Sequence, residues 1–273
     1  MRTAGYAKTT RQQYVRSLRH AQWGLDDNVE DFTADDILLW LDHRSQHVGP
    51  SSVNVNVCAL KYYFGRILGQ PDMVNFIPQP RRPRQLGDLL TIAELRELFA
   101  AASSAKHHAV LALLFGLGLR AGEVGRIRLH DFDRQQATLI IRQAKGGKSR
   151  TLPYGPVVRH ALAQYFRQER PADYLFVSGT RKAEDGGLSV RGVQYIVRQT
   201  LARTTIKKKV CPHVLRHCFA VHYLNEGGSL LRLKELLGHA LLSTTFRYLS
   251  YAKPQLVDVP SPLHRVLDVP VSR

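Results

Sequence analysis

Residues 212–251 read PHVLRHCFAVHYLNEGGSLLRLKELLGHALLSTTFRYLSY, and the fold turns on how they are parsed. Apolar residues recur every three to four positions in three runs, which Gly227, Gly228 and Gly238 separate, so the spacing predicts three helices. Pro212 suits a first helical position, where its missing N–H is no loss. His213, Arg216 and His217 then fall at i, i+3 and i+4 on one outward face, with Phe219, Tyr223 and Leu224 toward the buried side. A helix start that presents cationic side chains beside free backbone N–H groups suits a phosphate. Gly238 reads as a helix stop with His239 directly after it, and Ser243 as the N-cap of a short helix carrying Tyr248.

Upstream, KHHAVLALLFGLGL is apolar on nearly all sides, which requires a core helix ending at Gly116 and Gly118. Arg120 follows at the break and opens a short helix, RAGEVGRIRL, with Glu123 one turn on as a supporting partner for Arg120 or Arg126. QATLIIRQ and KSRTLPY read as strands joined by AKGG, a hairpin by its glycine pair and β-branched flanks. A helix over TLPYGPVVRHALAQYF, a short strand YLFVS and an amphipathic helix SVRGVQYIVRQTLA complete this part. It begins with a capping box, Thr91 and Glu94, ahead of IAELRELFAAA.

The first part reads as helices: Thr9 to Gln22, then ADDILLWLDHR behind Thr33, then VNVNVCALKYYFGRIL opened by Ser51 or Ser52 and closed by Gly69. VNVNV alternates like a strand, but Val53, Val57, Leu60 and Phe64 keep helical spacing. PQPRRPRQLGD, residues 78–88, is an extended linker by composition, and its Arg81, Arg82 and Arg84 read either as a solvated spacer or as DNA-backbone contacts.

Composition narrows the partners. The chain of 273 residues carries 39 Lys+Arg against 22 Asp+Glu, a formal charge of +17. Residues 1–88 hold 11 basic and 9 acidic side chains, a balance of +2, whereas residues 89–273 hold 28 and 13, a balance of +15. A field of that strength draws a polyanion, and nucleic acid leads because no basic amphipathic helix with an aromatic face points to a membrane. The amino terminus lacks the apolar core of a signal peptide and no apolar run spans a bilayer, so a soluble, cytoplasmic protein is expected. Three cysteines are too few and too odd in number for a disulfide framework, and Cys58, Cys211 and Cys218 read as small core residues. Cys211, His213, His217 and Cys218 crowd together, but no second Cys pair completes a zinc site, so no metal and no cofactor is expected.

These motifs together resemble the tyrosine recombinase, or phage integrase, family. Its pattern is an arginine in a G-L-R-x-x-E context, a hairpin lysine, H-x-x-R, L-G-H, and a tyrosine nine residues past that histidine. Arg120 with Glu123, Lys145, His213 with Arg216, His239 and Tyr248 match in that order, Tyr248 lying nine positions after His239. The likeness is sharp from Leu89 to Tyr251 and rests on layout over the first 88 residues. It implies a mainly α fold with a small antiparallel β-sheet (α+β): a helical SAM-like core-binding domain (1–77), the basic linker (78–88) and a catalytic domain with a C-terminal tail (89–273).

The resemblance also implies roles. Arg120 and Arg216 clamp the scissile phosphate, replacing the positive charge that metals supply elsewhere. Lys145 protonates the departing 5′ oxygen, with Lys148 beside it as DNA contact and substitute acid. His213 accepts the phenol proton, His239 donates to the phosphate, and Tyr248 becomes the covalent 3′-phosphotyrosine. The partners implied are double-stranded recombination sites, bound near the nucleoid by a homotetramer joined through the C-terminal tail, with Leu263, Val266 and Leu267 as anchors. His107, His108 and His217 read as surface or core residues, and Lys207 to Lys209 as a solvated run or a phosphate contact. The competing readings are a type IB topoisomerase-like relaxing enzyme and a catalytically silent DNA-binding regulator.

Overall fold

The computed structural model describes residues 5–78, 88–142, 149–178 and 186–252. Arg81, Arg82, Arg84, Lys145, Lys148, Leu263, Val266 and Leu267 lie outside the described residues. The chain divides into two compact units, Met1–Arg84 and Gln85–Arg273.

In the first unit, α1 (Lys8–Leu25), α2 (Ala34–His47), α3 (Pro50–Tyr62) and α4 (Asp72–Asn75) enclose one apolar core. Thr33 starts α2 with a full capping box: its hydroxyl accepts the Asp36 N–H at 3.2 Å, and its own N–H donates to Asp36 Oδ2 at 2.9 Å. The apolar stripes meet on Ala21, Ile37, Trp40, Val57, Leu60 and Phe64. VNVNV is helical, as its three-to-four spacing predicts, but α3 starts earlier than Ser51: Gly49 is the N-cap and Pro50 the first residue. Proline with a preset φ fits that place better than either serine. The helix runs on through a wide π turn, Tyr63–Ile67, before Gly69 at φ +70° ends it.

The second unit contains α5 (Ile92–Ala100), α6 (Ala105–Gly116), α7 (Ala121–Val124), β1 (Phe132–Asp133), β2 (Thr138–Ile141), β3 (Arg150–Pro153), α8 (Pro156–Gln168), α9 (Val190–Leu201), α10 (Pro212–Asn225), α11 (Leu230–Leu237) and α12 (Ser243–Phe246). Ala109 to Leu114 of α6 are buried all round, and α8, α9 and α10 pack about that helix. The sheet is antiparallel in the order β1-β2-β3, with Leu139 opposite Leu152 and Ile141 opposite Arg150. Leu139, Ile141 and Leu152 turn into the core. Among the described residues no helix is long and apolar enough to cross a membrane.

Several expectations need correction. YLFVS is not a strand: Tyr174 and Val177 make only isolated bridges, to Arg128 and Gly187. The helix after Arg120 stops at Val124, because the next backbone is drawn out to pair with that segment, Ile127 O accepting the Leu175 N–H and Leu129 N–H donating to Asp173 O, both at 2.8 Å. Strand β1 was not visible in a two-residue run. Leu242, not Ser243, is the N-cap of α12. Only Cys218 is a core cysteine; Cys58 is half-buried and Cys211 exposed at the start of α10, which it caps without a side-chain bond.

Candidate active site

Three helix ends and one strand end bring the site together. Arg120 is the N-cap of α7, and its N–H and Nη1 donate to Glu123 Oε2 and Oε1 at 2.8 and 2.9 Å. The Arg120 side chain remains 43% exposed, whereas that of Glu123 is only 6% exposed. Arg216, in the second turn of α10, is 1% exposed. Its Nη1 donates to Gly118 O and its Nη2 to Leu237 O, each at 2.7 Å, so it ties the end of α6 to the end of α11. Gly118 must be glycine there: φ is +60° and a Cβ would lie 2.4 Å from Phe219. Gly238 ends α11 in the left-handed region at φ +62° and turns His239 back over the site.

Arg216 can only donate, so His239 Nε2, 3.2 Å from Nη2, accepts. That fixes the other nitrogen as Nδ1–H, which donates to the buried Thr245 hydroxyl at 2.9 Å. The His239 ring lies parallel to that of Tyr248, 6.3 Å away. Tyr248 follows α12 in a turn closed by its N–H on Thr245 O and is 1% exposed. Its hydroxyl is 3.0 Å from His217 Nδ1. His213 stands exposed at the first turn of α10, its ring 4.2 Å from that of His217.

The electrostatics follow from burial among arginines. Burial alone pushes the Glu123 carboxyl up, but hydrogen bonds and charge from Arg150, then the Arg120 N–H and charge, outweigh it and hold it at about 2. Burial and the charge of Arg120 bring Arg216 down to about 10, against Glu123. His217 is lowered to about 3 by burial, then by His213, Arg247 and Arg216, and His239 to about 4 by burial, Arg216 and Arg120. Both are neutral imidazoles at neutral pH. Burial raises the Tyr248 phenol, while Arg216, Arg247 and Arg120 pull it back.

Arg120, Glu123, His213, Arg216, His239 and Tyr248 thus converge, and Lys145 and Lys148 lie outside the described residues. Three participants escaped the sequence reading. Arg150, not Arg126, is the second ion pair of Glu123: its Nη1 and Nη2 reach both carboxylate oxygens at 2.9 and 3.0 Å and its Nε the Leu236 carbonyl at 2.8 Å. His217, read as a surface or core residue, touches the phenol, and its one signal was its position one turn beyond His213. Arg247 lends its charge to His213, His217 and Tyr248. Lys208 is part of the scaffold, donating to Glu94 Oε2 at 2.7 Å and to Leu89 O at 2.9 Å. In the first unit, Lys8, Arg11, Arg16 and Arg19 line one open cavity of α1 beside Trp23, a cationic face that the near-neutral charge of residues 1–88 concealed.

Residues 85–254 match the model of the phage integrase family, and residues 1–72 that of the phage integrase N-terminal SAM-like domain. The tyrosine recombinase XerA of Thermococcus kodakarensis is 33% identical over 239 residues, 86% of this chain and 81% of the relative. A crystal structure of XerA recombinase aligns over 98% of this chain and 93% of its own, at 25% identity and a TM-score of 0.55. A lambda integrase tetramer bound to a Holliday junction aligns over 88% of this chain and 74% of its own, at 19% identity and a TM-score of 0.72, a likeness of fold.

Proposed function

Because the chain belongs to the phage integrase family of tyrosine recombinases, we propose that it cuts and rejoins double-stranded DNA at specific sites through a covalent 3′-phosphotyrosine on Tyr248. The observation that carries this reading is one buried tyrosine, Tyr248, whose phenol lies within the charge of Arg216 and Arg120, with the His239 ring parallel to its own and His213 against the histidine that meets its hydroxyl.

Arg120 and Arg216 are the phosphate clamp. Glu123 and Arg150 fix the first, and two backbone carbonyls fix the second, so neither has to reorganise as charge develops on the non-bridging oxygens. His239 accepts from Arg216 in the DNA-free site. Burial first, and then the arginine charge, keep that imidazole neutral; a phosphate between the arginines offsets the second of these, and a proton taken up at Nε2 makes it a donor. Tyr248 attacks phosphorus in line, His213 takes its proton, and Lys145 protonates the 5′ oxygen as it leaves. The bond energy stays in the phosphotyrosine, so religation requires no ATP, and the guanidinium clamp leaves no role for a metal in the chemical step. Arg81, Arg82, Arg84, Lys148 and the cations of α1 hold the duplex, and a homotetramer linked by the tail of residues 253–273 pairs two sites. A relaxing enzyme of the type IB topoisomerase kind or a silent regulator is disfavoured by the recombinase relatives.

The test is a nicked duplex that traps the adduct, in EDTA and without nucleotide. The parent chain forms a protein–DNA adduct at defined ends, and Tyr248→Phe forms none while binding DNA normally. An adduct of normal yield from Tyr248→Phe, or an absolute magnesium requirement for cleavage, overturns the reading.

A further inference from the structure

The family pattern assigns the phenol proton to His213, yet the Tyr248 hydroxyl meets a different imidazole. We propose that His217 is a positioning residue for the nucleophile: its Nδ1 accepts the Tyr248 hydroxyl hydrogen bond and so aims the phenol oxygen before DNA arrives. The inference rests on Tyr248 being the nucleophile.

Several observations carry it. His217 is 6% exposed and Tyr248 1% exposed, so water does not compete for the 3.0 Å bond between them. The side chain comes from α10, the same helix that supplies Arg216 one residue earlier, so aim and clamp share one rigid support. The His213 ring meets that of His217 edge-on, at 4.2 Å and 67°, while the hydrogen-bond contact to the phenol belongs to His217. The chemistry fits an acceptor. Buried beside Arg216, Arg247 and His213, His217 stays neutral and keeps a lone pair on Nδ1, and the arginines around the phenol can only donate. In the resting site the phenol therefore donates its hydrogen bond to His217, which holds the oxygen in place without taking the proton. Rotation about the Tyr248 side chain would break that 3.0 Å bond, and the His239 ring runs parallel to the phenol 6.3 Å away. Pre-orientation of a reacting group is worth orders of magnitude in rate, because the search for the attack geometry is settled in advance.

The experiment compares His217→Phe, His217→Asn and His217→Gln with the parent chain and with Tyr248→Phe. Each is given a nicked duplex with ordinary DNA and the same duplex with a 5′-bridging phosphorothioate, whose leaving group needs no proton. An asparagine amide reaches about as far from the backbone as Nδ1, a glutamine amide as far as Nε2. The proposal expects His217→Phe to form adduct at least about tenfold more slowly at unchanged DNA affinity, equally on both substrates, since aim and not leaving-group protonation is lost. His217→Asn should restore most of the rate and His217→Gln little. Should His217→Phe fail to fold, the contrast between Asn and Gln decides alone. Parent-like cleavage by His217→Phe, equal rates for Asn and Gln, or a defect relieved by the phosphorothioate overturns the positioning role and leaves Tyr248 untouched. An adduct surviving in Tyr248→Phe overturns the reading of the nucleophile instead.

Discussion

The two units bury different kinds of side chain. In the first, the described buried residues are apolar apart from Ser17, Asn54 and Asn56, and no charged group is among them. In the second, Glu123, Asp131, Arg216 and His217 are all buried, and the guanidinium of Arg216 is among the largest fully buried side chains. A buried ion is costly unless paired, so the second unit is arranged around pairing: carbonyls for Arg216, two guanidinia for Glu123, a hydroxyl for His239. The first unit can be altered by size alone, whereas the second is altered by charge, tautomer and pH.

The largest effect should come from breaking the pairing at its centre. Arg216→Lys keeps a charge but cannot reach Gly118 O, Leu237 O and the phosphate with one planar group. Cleavage of a nicked duplex should fall about 10²- to 10³-fold, the scale of removing one oxyanion donor. Parent-like cleavage by this variant would remove Arg216 from the clamp.

Acid should separate the units next. His217 and His239 have folded pKa values lowered to about 3 and about 4, so between those values and their unfolded value of 6.5 the unfolded chain binds more protons. Stability they confer is full above pH 6.5 and is lost as pH falls through that window; Glu123, lowered from 4.5 to about 2, adds loss in the same direction below pH 4.5. The loss should reach about 2 kcal/mol per histidine by pH 4.5. Trp23 and Trp40 are the chain's two tryptophans and both lie in the first unit, so their fluorescence follows that unit, and hydrogen exchange of α6 and α10 amides follows the other. Exchange protection should fall with acid well before the tryptophan signal changes, and a shared transition would erase the contrast.

A smaller effect belongs to Gly118→Ala, which forces a side chain into positive φ and against Phe219. The strain should cost about 1–2 kcal/mol and slow cleavage by shifting the carbonyl that holds Arg216, read by urea denaturation and adduct rate together. The smallest effects should be alike in both units. Thr33→Ala and Thr91→Ala each remove a capping box and should each cost about 1 kcal/mol by denaturant titration, because caps obey local rules whichever core lies beneath.

That local character explains what could be read in the sequence. The capping box at Thr91, the helix start at Thr33 and the all-apolar α6 are encoded within a few residues and appear as expected, whereas Arg216 and His217, read with His213 on one outward face, are buried. Arg150 was missed because its partner Glu123 is 27 positions away, brought close only when β3 lines up with α7 and α11. His217 was misjudged because a helical face says which way a histidine points, not what the chain returns to it 31 positions later. YLFVS has the composition of a strand but finds only single bridges, a matter of what lies beside it.

The central claim is that Tyr248, among the chain's 11 tyrosines, becomes the covalent link to DNA. The parent chain trapped on a nicked duplex, digested with nuclease and protease and sequenced by mass spectrometry, should carry its nucleotide adduct on the peptide containing Tyr248, at that side chain. An adduct on Tyr251, or on any other residue, would contradict the account.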